Sequence, residues 1–304
     1  MASGLETEIA GIKITNPTML AAGILGMSST FFKRVAKAGA GAIVTKSIGL
    51  KARKGYANPT MVNVPCGMLN AMGLPNPGIK NFAEEIEEAK KTGIPIIVSI
   101  FGFSADEFAE VAEKASRSGA DALELNVSCP HIEKAGAEIG QNPQLVAEVV
   151  KKVKKAVKVP VFVKLTPNVS DICEVAVAAT DAGADAITAV NTVRAMAIDV
   201  ETMRPILANK IGGLSGAAIK PIALRCVFEI YRAVKVPVIG CGGITGWQDA
   251  VEFLLAGASA VQIGTAIALK DIEIFRTVAK GIDQYLKRKN FHSVKKIVGL
   301  AHEK

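Results

Sequence analysis

Lys46 and Ser47, Ser99, Asn126 and Cys129, Lys164, and Asn191 and Thr192 all stand where short apolar runs of this 304-residue chain end. Asn70 lies in a long segment that follows the second such run. Each has a bland reading. Asn and Ser cap helices and close turns, and a strand-end Lys can reach out to water. Taken together they permit a definite chemistry. Asn pairs donors with acceptors, which suits the amide and carbonyl edge of a small planar heterocycle. Two lysines suit an anion, whether bound or developing during reaction. No carboxylate stands among these residues, which argues against a paired-carboxylate mechanism. The candidate general base is Cys129, with His131 close by, because a thiol facing an electropositive pocket can ionise below its free pKa of about 8.5. A loop histidine facing solvent is the plainer reading of His131.

A metal role for the thiol finds little support. The cysteines are Cys66, Cys129, Cys173, Cys226 and Cys241, widely spread and with no C-x-x-C pair. That argues against a disulfide framework, a structural zinc or an iron–sulfur cluster held by this chain, and no metal is expected. Cys173 and Cys226 fall in helical stretches and read as packing residues, and Cys241 reads as a small core residue. Cys66 carries no reading.

Glycines cluster in "GGLSG" (Gly212 to Gly216), "GCGGI" (Gly240 to Ile244) and "IGTA" (Ile263 to Ala266). Glycines let backbone N–H groups approach a phosphate closely. With two lysines deeper in, they suggest a phosphorylated cofactor such as FMN.

The elements that must position these groups are legible. Val- and Ile-rich runs recur at Met19 to Gly23, Ala42 to Ser47, Pro95 to Phe101, Ala122 to Ser128, Pro160 to Leu165, Ala186 to Asn191, Pro237 to Gly243 and Ala260 to Thr265. Their near-continuous apolarity suits parallel strands covered on both faces. Strands two, four, six and eight follow "GAGA", "SGADA", "AGADA" and "AGASA", where a Gly ends the preceding helix. Strands three, five and seven follow "TGIP", "KVP" and "KVP", where a Pro opens the strand. This rhythm predicts an α/β fold, a (β/α)8 TIM barrel, as one domain over residues 1–304. The alternative is a doubly wound open sheet, but its G-x-G-x-x-G turn is absent after the first strand, which reads "AAGILGMSS". Long segments follow strand two (Ile48 to Gly78), strand four (Cys129 to Pro143) and strand six (Thr192 to Gly216). All leave the strand ends where barrels carry their sites. The segment Pro130 to Asn142 is expected to act as a lid.

Charge is basic, 36 Lys and Arg against 28 Asp and Glu, a net +8. The positive runs, such as "KKVKKAVK", lack interleaved aromatics, so solvated helix faces are preferred over nucleic acid, with attraction of anionic ligands as a weaker reading. No apolar run approaches a membrane span. The acidic start "MASGLETEIAG" lacks a signal-peptide layout, and a cytoplasmic protein is expected.

Along nearly its whole length the chain resembles the dihydroorotate dehydrogenase family. The motifs are "TKSI", "NAMGLPNPG", "ELNVSCPH", "VKLTPN", "VNT", "GGLSG", "GCGGI" and "IGTA", in order and spacing. The resemblance implies an FMN-binding barrel that oxidises dihydroorotate to orotate in pyrimidine synthesis. It implies that Cys129 removes the C5 proton while hydride leaves C6. Lys46, Asn70, Ala71, Met72, Gly73, Leu74, Asn126, Asn191 and Thr192 would line the substrate. FMN would be held by Ala22, Lys46, Ser47, Ser99, Asn126, Val190, Gly216, Gly242, Gly243, Gly264 and Thr265. Lys164 would lie near the flavin N1–O2 edge.

Class 2 members use serine as base and carry an N-terminal helical extension. Cys129, and no such extension in this sequence, resemble class 1. The stretch "VKLTPNVSDI" resembles the B type, which implies a homodimer core in a heterotetramer with a subunit carrying FAD and a 2Fe–2S cluster that passes electrons to NAD. The A type, a homodimer using fumarate, is the close alternative. Dihydropyrimidine dehydrogenases also carry an "SCPH"-like loop, but "NAMGLPNPG" points away from them. Outside the family, a sugar-phosphate lyase with Lys164 as Schiff base and a non-catalytic scaffold remain open.

Overall fold

The computed structural model of the chain describes residues 4–65, 67–128 and 139–303. Eight parallel strands close into a barrel: β1 (Thr18–Leu20), β2 (Ala42–Val44), β3 (Ile96–Ile100), β4 (Ala122–Asn126), β5 (Val161–Leu165), β6 (Ala186–Ala189), β7 (Val238–Cys241) and β8 (Ala258–Ile263). Each pairs with its neighbour in chain order, and β8 pairs with β1. Helices α1 (Ser29–Lys37), α2 (Ile79–Lys90), α3 (Ala105–Arg117), α4 (Pro143–Ala156), α5 (Ile172–Asp181), α6 (Lys220–Ala233) and α7 (Trp247–Leu255) surround it. They are followed by the short α8 (Ala266–Lys270) and the closing α9 (Ile274–Arg288). The expected (β/α)8 architecture is therefore the observed one.

The punctuation works as the sequence suggests. Gly39, Gly119, Gly183 and Gly257 all have positive φ where the chain leaves α1, α3, α5 and α7, a conformation that costs glycine little. Pro95, Pro160 and Pro237 precede β3, β5 and β7, and their carbonyls accept from Ile43, Leu123 and Ile187. A proline N–H is not needed there. Helix starts are capped by side chains: Ser104 accepts from Glu107 N, and Asp171 from Cys173 N.

Two apolar cores result from strand alternation. The outer one fills the space between strands and helices, with Ile43, Val98, Leu123, Val163 and Phe253 fully buried. The inner one fills the lower barrel with Met19, Val44, Ile97, Phe162 and Ile239. A hairpin that the sequence reading did not assign, Thr7–Ile9 with Ile12–Ile14, packs Ile9 and Ile14 against this inner core.

The segments after β2 and β6 are more than connections. Met61–Val64, Gly67–Asn70, Gly212–Ser215 and Val193–Ala195 form one antiparallel sheet, in which Asn70 lies opposite Gly213. Leu69, Ala71 and Leu207 form a small core of their own beneath it. Two loops far apart in sequence thus stabilise each other over the barrel mouth.

Candidate functional site

A cavity of about 1400 Å³ opens at the C-terminal ends of the barrel strands, bounded by the two-loop sheet. That exceeds the roughly 300–1000 Å³ of an ordinary small-molecule site and leaves room for two ligands side by side. Every proposed substrate residue among the described ones lines it: Lys46, Asn70, Ala71, Met72, Gly73, Leu74, Asn126, Asn191 and Thr192. So do Ala22, Ser47, Lys164, Val190, Gly216, Gly242, Gly243, Gly264 and Thr265. Cys129, His131 and Cys66 lie outside the described residues, as does most of the expected lid.

Ser99 does not line the cavity. It is fully buried behind it, with its hydroxyl 2.9 Å from that of Ser47. From there a chain of hydrogen bonds crosses four strand mouths. Asn126 Nδ2 donates to Ser47 Oγ (3.0 Å), and Asn191 Nδ2 donates to Asn126 Oδ1 (3.2 Å). Asn191 Oδ1 accepts from Thr192 N at 2.8 Å. Each amide is orientated by its neighbour before any ligand arrives. Asn76, buried beside the mouth, pins the "NAMGLPNPG" segment by accepting from Gly49 N and Gly78 N and donating to Leu74 O. Gly213 lets Thr192 pack in, since a Cβ there would sit 2.0 Å from the Thr192 hydroxyl.

The two lysines differ. Lys46 is half-buried and has no carboxylate partner among the described residues, and burial pulls its ammonium below the usual lysine range. Lys164 is 5% exposed at the cavity floor. Its Nζ donates to Gln262 Oε1 at 2.8 Å and lies 3.7 Å from Glu124 Oε1. Burial works against its charge, but the Cys241 sulfur and the Glu124 carboxylate together outweigh that and hold it above the usual range. Cys241 itself lines the cavity beside Lys164, so the reading of it as a core residue is corrected; burial pushes its thiol up. Cys226 is buried in α6, and burial raises its thiol to about 11.

On the β7 and β8 side, the N–H groups of Gly242, Gly243, Gly264 and Thr265 donate to no acceptor among the described residues. Gly243 has a φ of 76° and a Cβ there would meet Lys220 Cβ at 2.6 Å, so only glycine fits. Thr265 Oγ1 donates to Ser215 Oγ at 2.8 Å, tying β8 to the two-loop sheet. A row of unspent N–H groups is what an anion such as a phosphate needs.

Sequence reasoning missed several lining residues: Arg53, Tyr56, Phe103, Asn168 and Arg194. Asn168 stood inside a quoted motif and proves to be a brace, donating to Thr192 O and accepting from Arg194 N. Arg53 and Arg194 carry no local signal, because loop folding alone brings them to the mouth. Among the described residues no Asp or Glu lines the cavity, while Lys46, Arg53, Lys164 and Arg194 do.

A family model described as dihydroorotate dehydrogenase matches residues 4–286. The chain belongs to the dihydroorotate dehydrogenase family. It is 56% identical over 299 residues to the dihydroorotate dehydrogenase B (NAD(+)), catalytic subunit, of Pyrococcus furiosus, covering 98% of this chain and 99% of that one. The protein of the same name from Methanosarcina mazei is 53% identical over 303 residues, covering 99% and 96%. That of Methanocaldococcus jannaschii is 53% identical over 303 residues, covering 98% of each. The dihydroorotate dehydrogenase motifs "TKSI", "NAMGLPNPG", "VKLTPN", "VNT", "GGLSG", "GCGGI" and "IGTA" all contribute residues to the cavity wall.

Proposed function

We propose that this chain oxidises dihydroorotate to orotate with bound FMN and passes the electrons to NAD through a partner subunit. The observation that carries the reading is the cavity lining among the described residues: paired asparagines, two lysines, glycine N–H groups without an acceptor and no carboxylate.

The residues fit FMN. Its phosphate is an anion suited to the N–H groups of Gly242, Gly243, Gly264 and Thr265. Ser47 and Asn126 supply polar contacts at the other end, and Lys164 a fixed positive charge at the floor. FMN, when bound, would accept the hydride that leaves C6. The chain's own groups do the rest. Asn70, Asn126 and Asn191 match the ring amides of a dihydropyrimidine, each able to donate and accept. Lys46, desolvated and without a carboxylate partner among the described residues, suits the substrate carboxylate and the flavin edge. Cys129 takes the C5 proton as thiolate, the role of a general base.

A Schiff-base role for Lys164 fares worse, since that chemistry needs a free amine and this ammonium is engaged by Gln262 and Glu124. The NAD-linked relatives favour the B type over fumarate use. Exposed Ile198, Val200 and Met203, on the hairpin beyond β6, offer apolar surface for a second copy, and the solution mass of the purified chain checks a homodimer. No helix among the described residues is long and apolar enough to cross a membrane.

The deciding experiment is anaerobic. Purified chain supplied with FMN should bind it and lose its flavin absorbance on adding dihydroorotate. Bound flavin that stays oxidised under excess dihydroorotate would reject the activity.

A further inference from the structure

The barrel interior holds a carboxylate that the reading above leaves without a task. In β4, Ala122, Glu124 and Asn126 share the inward face, and Glu124 lies one layer below the cavity, fully buried. Its Oε2 accepts from Thr188 Oγ1 at 2.9 Å and from Gln262 Nε2 at 2.5 Å. Its Oε1 is buried and has no hydrogen-bond partner among the described residues; Lys164 Nζ lies 3.7 Å away. Gln262 closes the triangle, because its Oε1 accepts from the same Nζ. Below lies the apolar inner core, with Phe162, Ala186 and Ala260.

A lone charge on that floor would cost several kcal/mol and would neutralise itself. Packing alone does not ask for a carboxylate here. A glutamine of the same shape could accept from Thr188 without introducing an ion. The acid is needed only if its neighbour must stay charged.

We propose that Glu124 is a positioning residue for Lys164: acting directly and through Gln262, it aims the ammonium at the cavity floor and keeps it protonated where the cofactor sits. The inference rests on the flavin reading for its purpose, but not for its geometry. Other groups facing Lys164 are few. Cys241 approaches from β7, Gln262 from β8 and the Thr188 hydroxyl from β6, while Lys46 is the other lysine in the cavity wall. Among the described residues Glu124 is the one acidic side chain paired with Lys164. In the loaded protein a lysine held charged beside the flavin favours its reduced, anionic form at every working pH. A lysine free to lose its proton would make that preference fade as pH rises.

The test begins without cofactor. Flavin-free full-length chain is acetylated with trace acetic anhydride between pH 7 and 11, and each lysine's titration midpoint is read from its labelled peptide. Accessibility cancels because the midpoint, not the rate, is compared. Wild-type Lys164 should titrate above the surface lysines of the same digest. In Glu124→Gln its midpoint should fall by one unit or more, giving at least about tenfold more labelling at pH 8. Glu124→Asp, shorter but still charged, should keep most of the wild-type behaviour. A merely structural role predicts the reverse order, with the isosteric Gln milder than Asp, and that order overturns the proposal. So do superimposable wild-type and Glu124→Gln profiles. Should the Gln variant not fold, the wild-type midpoint decides: a value below the surface lysines is equally fatal.

A second readout uses the loaded protein. The midpoint potential of bound flavin, followed against pH, should gain a break in Glu124→Gln that disappears when Lys164→Met is added. Absence of that break overturns the proposal. The two readings fail separately. A wild-type chain that binds no flavin rejects the flavin reading and leaves the labelling result standing. Normal flavin binding with an unmoved Lys164 midpoint rejects only the role of Glu124.

Discussion

Lys46 and Lys164 show how one residue type serves two ends. Burial lowers both ammoniums, yet among the described residues only Lys164 has the Cys241 sulfur and an acid beside it, so its net direction is upward while that of Lys46 is downward. Cys129 and Ser99 can be separated in the same spirit. Cys129→Ala should leave FMN affinity unchanged and slow anaerobic flavin reduction by about 10²–10⁴-fold, the usual cost of losing a general base; stopped-flow bleaching measures it, and unaltered kinetics would remove the thiol from the mechanism. Ser99 does not line the cavity. Ser99→Ala removes one hydrogen bond from Ser47 while Asn126 still holds it. That bond is worth about 1 kcal/mol, so FMN should dissociate about fivefold more readily, with little change in the bleaching rate once loaded. Fluorescence titration with FMN reports the difference.

Elements carry their own constraints. The glycine turn after β7 is held from behind by α7: Asp249 Oδ2 accepts from Thr245 N, Thr245 Oγ1 and Gly246 N, and Oδ1 accepts from Lys220 Nζ. Burial raises this carboxyl, but the Lys220 bond and the Thr245 bonds outweigh it, and the net direction is downward. A carboxylate lowered on folding stabilises the fold above its unfolded value, and that stabilisation fades as pH falls through the lowered one. Asp249→Asn should therefore cost about 1–3 kcal/mol at pH 7, with wild type and variant converging only as pH falls well below the ordinary carboxyl value of 3.8, to about pH 2. Urea melts at the two pH values test this. On the far face of α7, Gly281 of α9 meets Trp247, where an added Cβ would lie 2.2 Å from the indole. Alanine would favour the helix by about 1 kcal/mol. Overpacking at that distance should win, with a net loss of about 1–3 kcal/mol in a urea melt. A variant more stable than wild type would show that α9 can shift freely.

At the scale of the whole molecule, the cavity is walled by strand ends, the two-loop sheet and the turns after β7 and β8, so electrons must leave by one of its rims. The chain places no metal-ligating cluster of His, Cys, Asp or Glu there among the described residues. On the partner reading, chain reduced by dihydroorotate should be reoxidised by NAD only when a second, electron-carrying subunit is added. Rapid reoxidation by NAD with the chain alone would contradict the partner reading, and rapid turnover with fumarate would favour the A type.

Much of this was legible from the residues alone. Eight strand positions, the glycines that end α1, α3, α5 and α7, and the prolines before β3, β5 and β7 follow from local physics: backbone freedom, a missing N–H and unbroken apolar runs. The polar residues at strand ends were visible for the same reason, since such groups interrupt an apolar pattern. What only the tertiary structure decided is of another kind. Arg53 and Arg194 reach the cavity because two distant loops pair as a sheet, a match between Asn70 and Gly213 that no local pattern encodes. Ser99 looked like a lining residue and sits one shell behind, since strand alternation names a face but not a depth. Glu124 was hidden inside a run read as apolar, although its alternation with Asn126 already placed both on one face. Its partners lie 64 and 138 residues away, and pairing across a closed barrel is settled by closure itself.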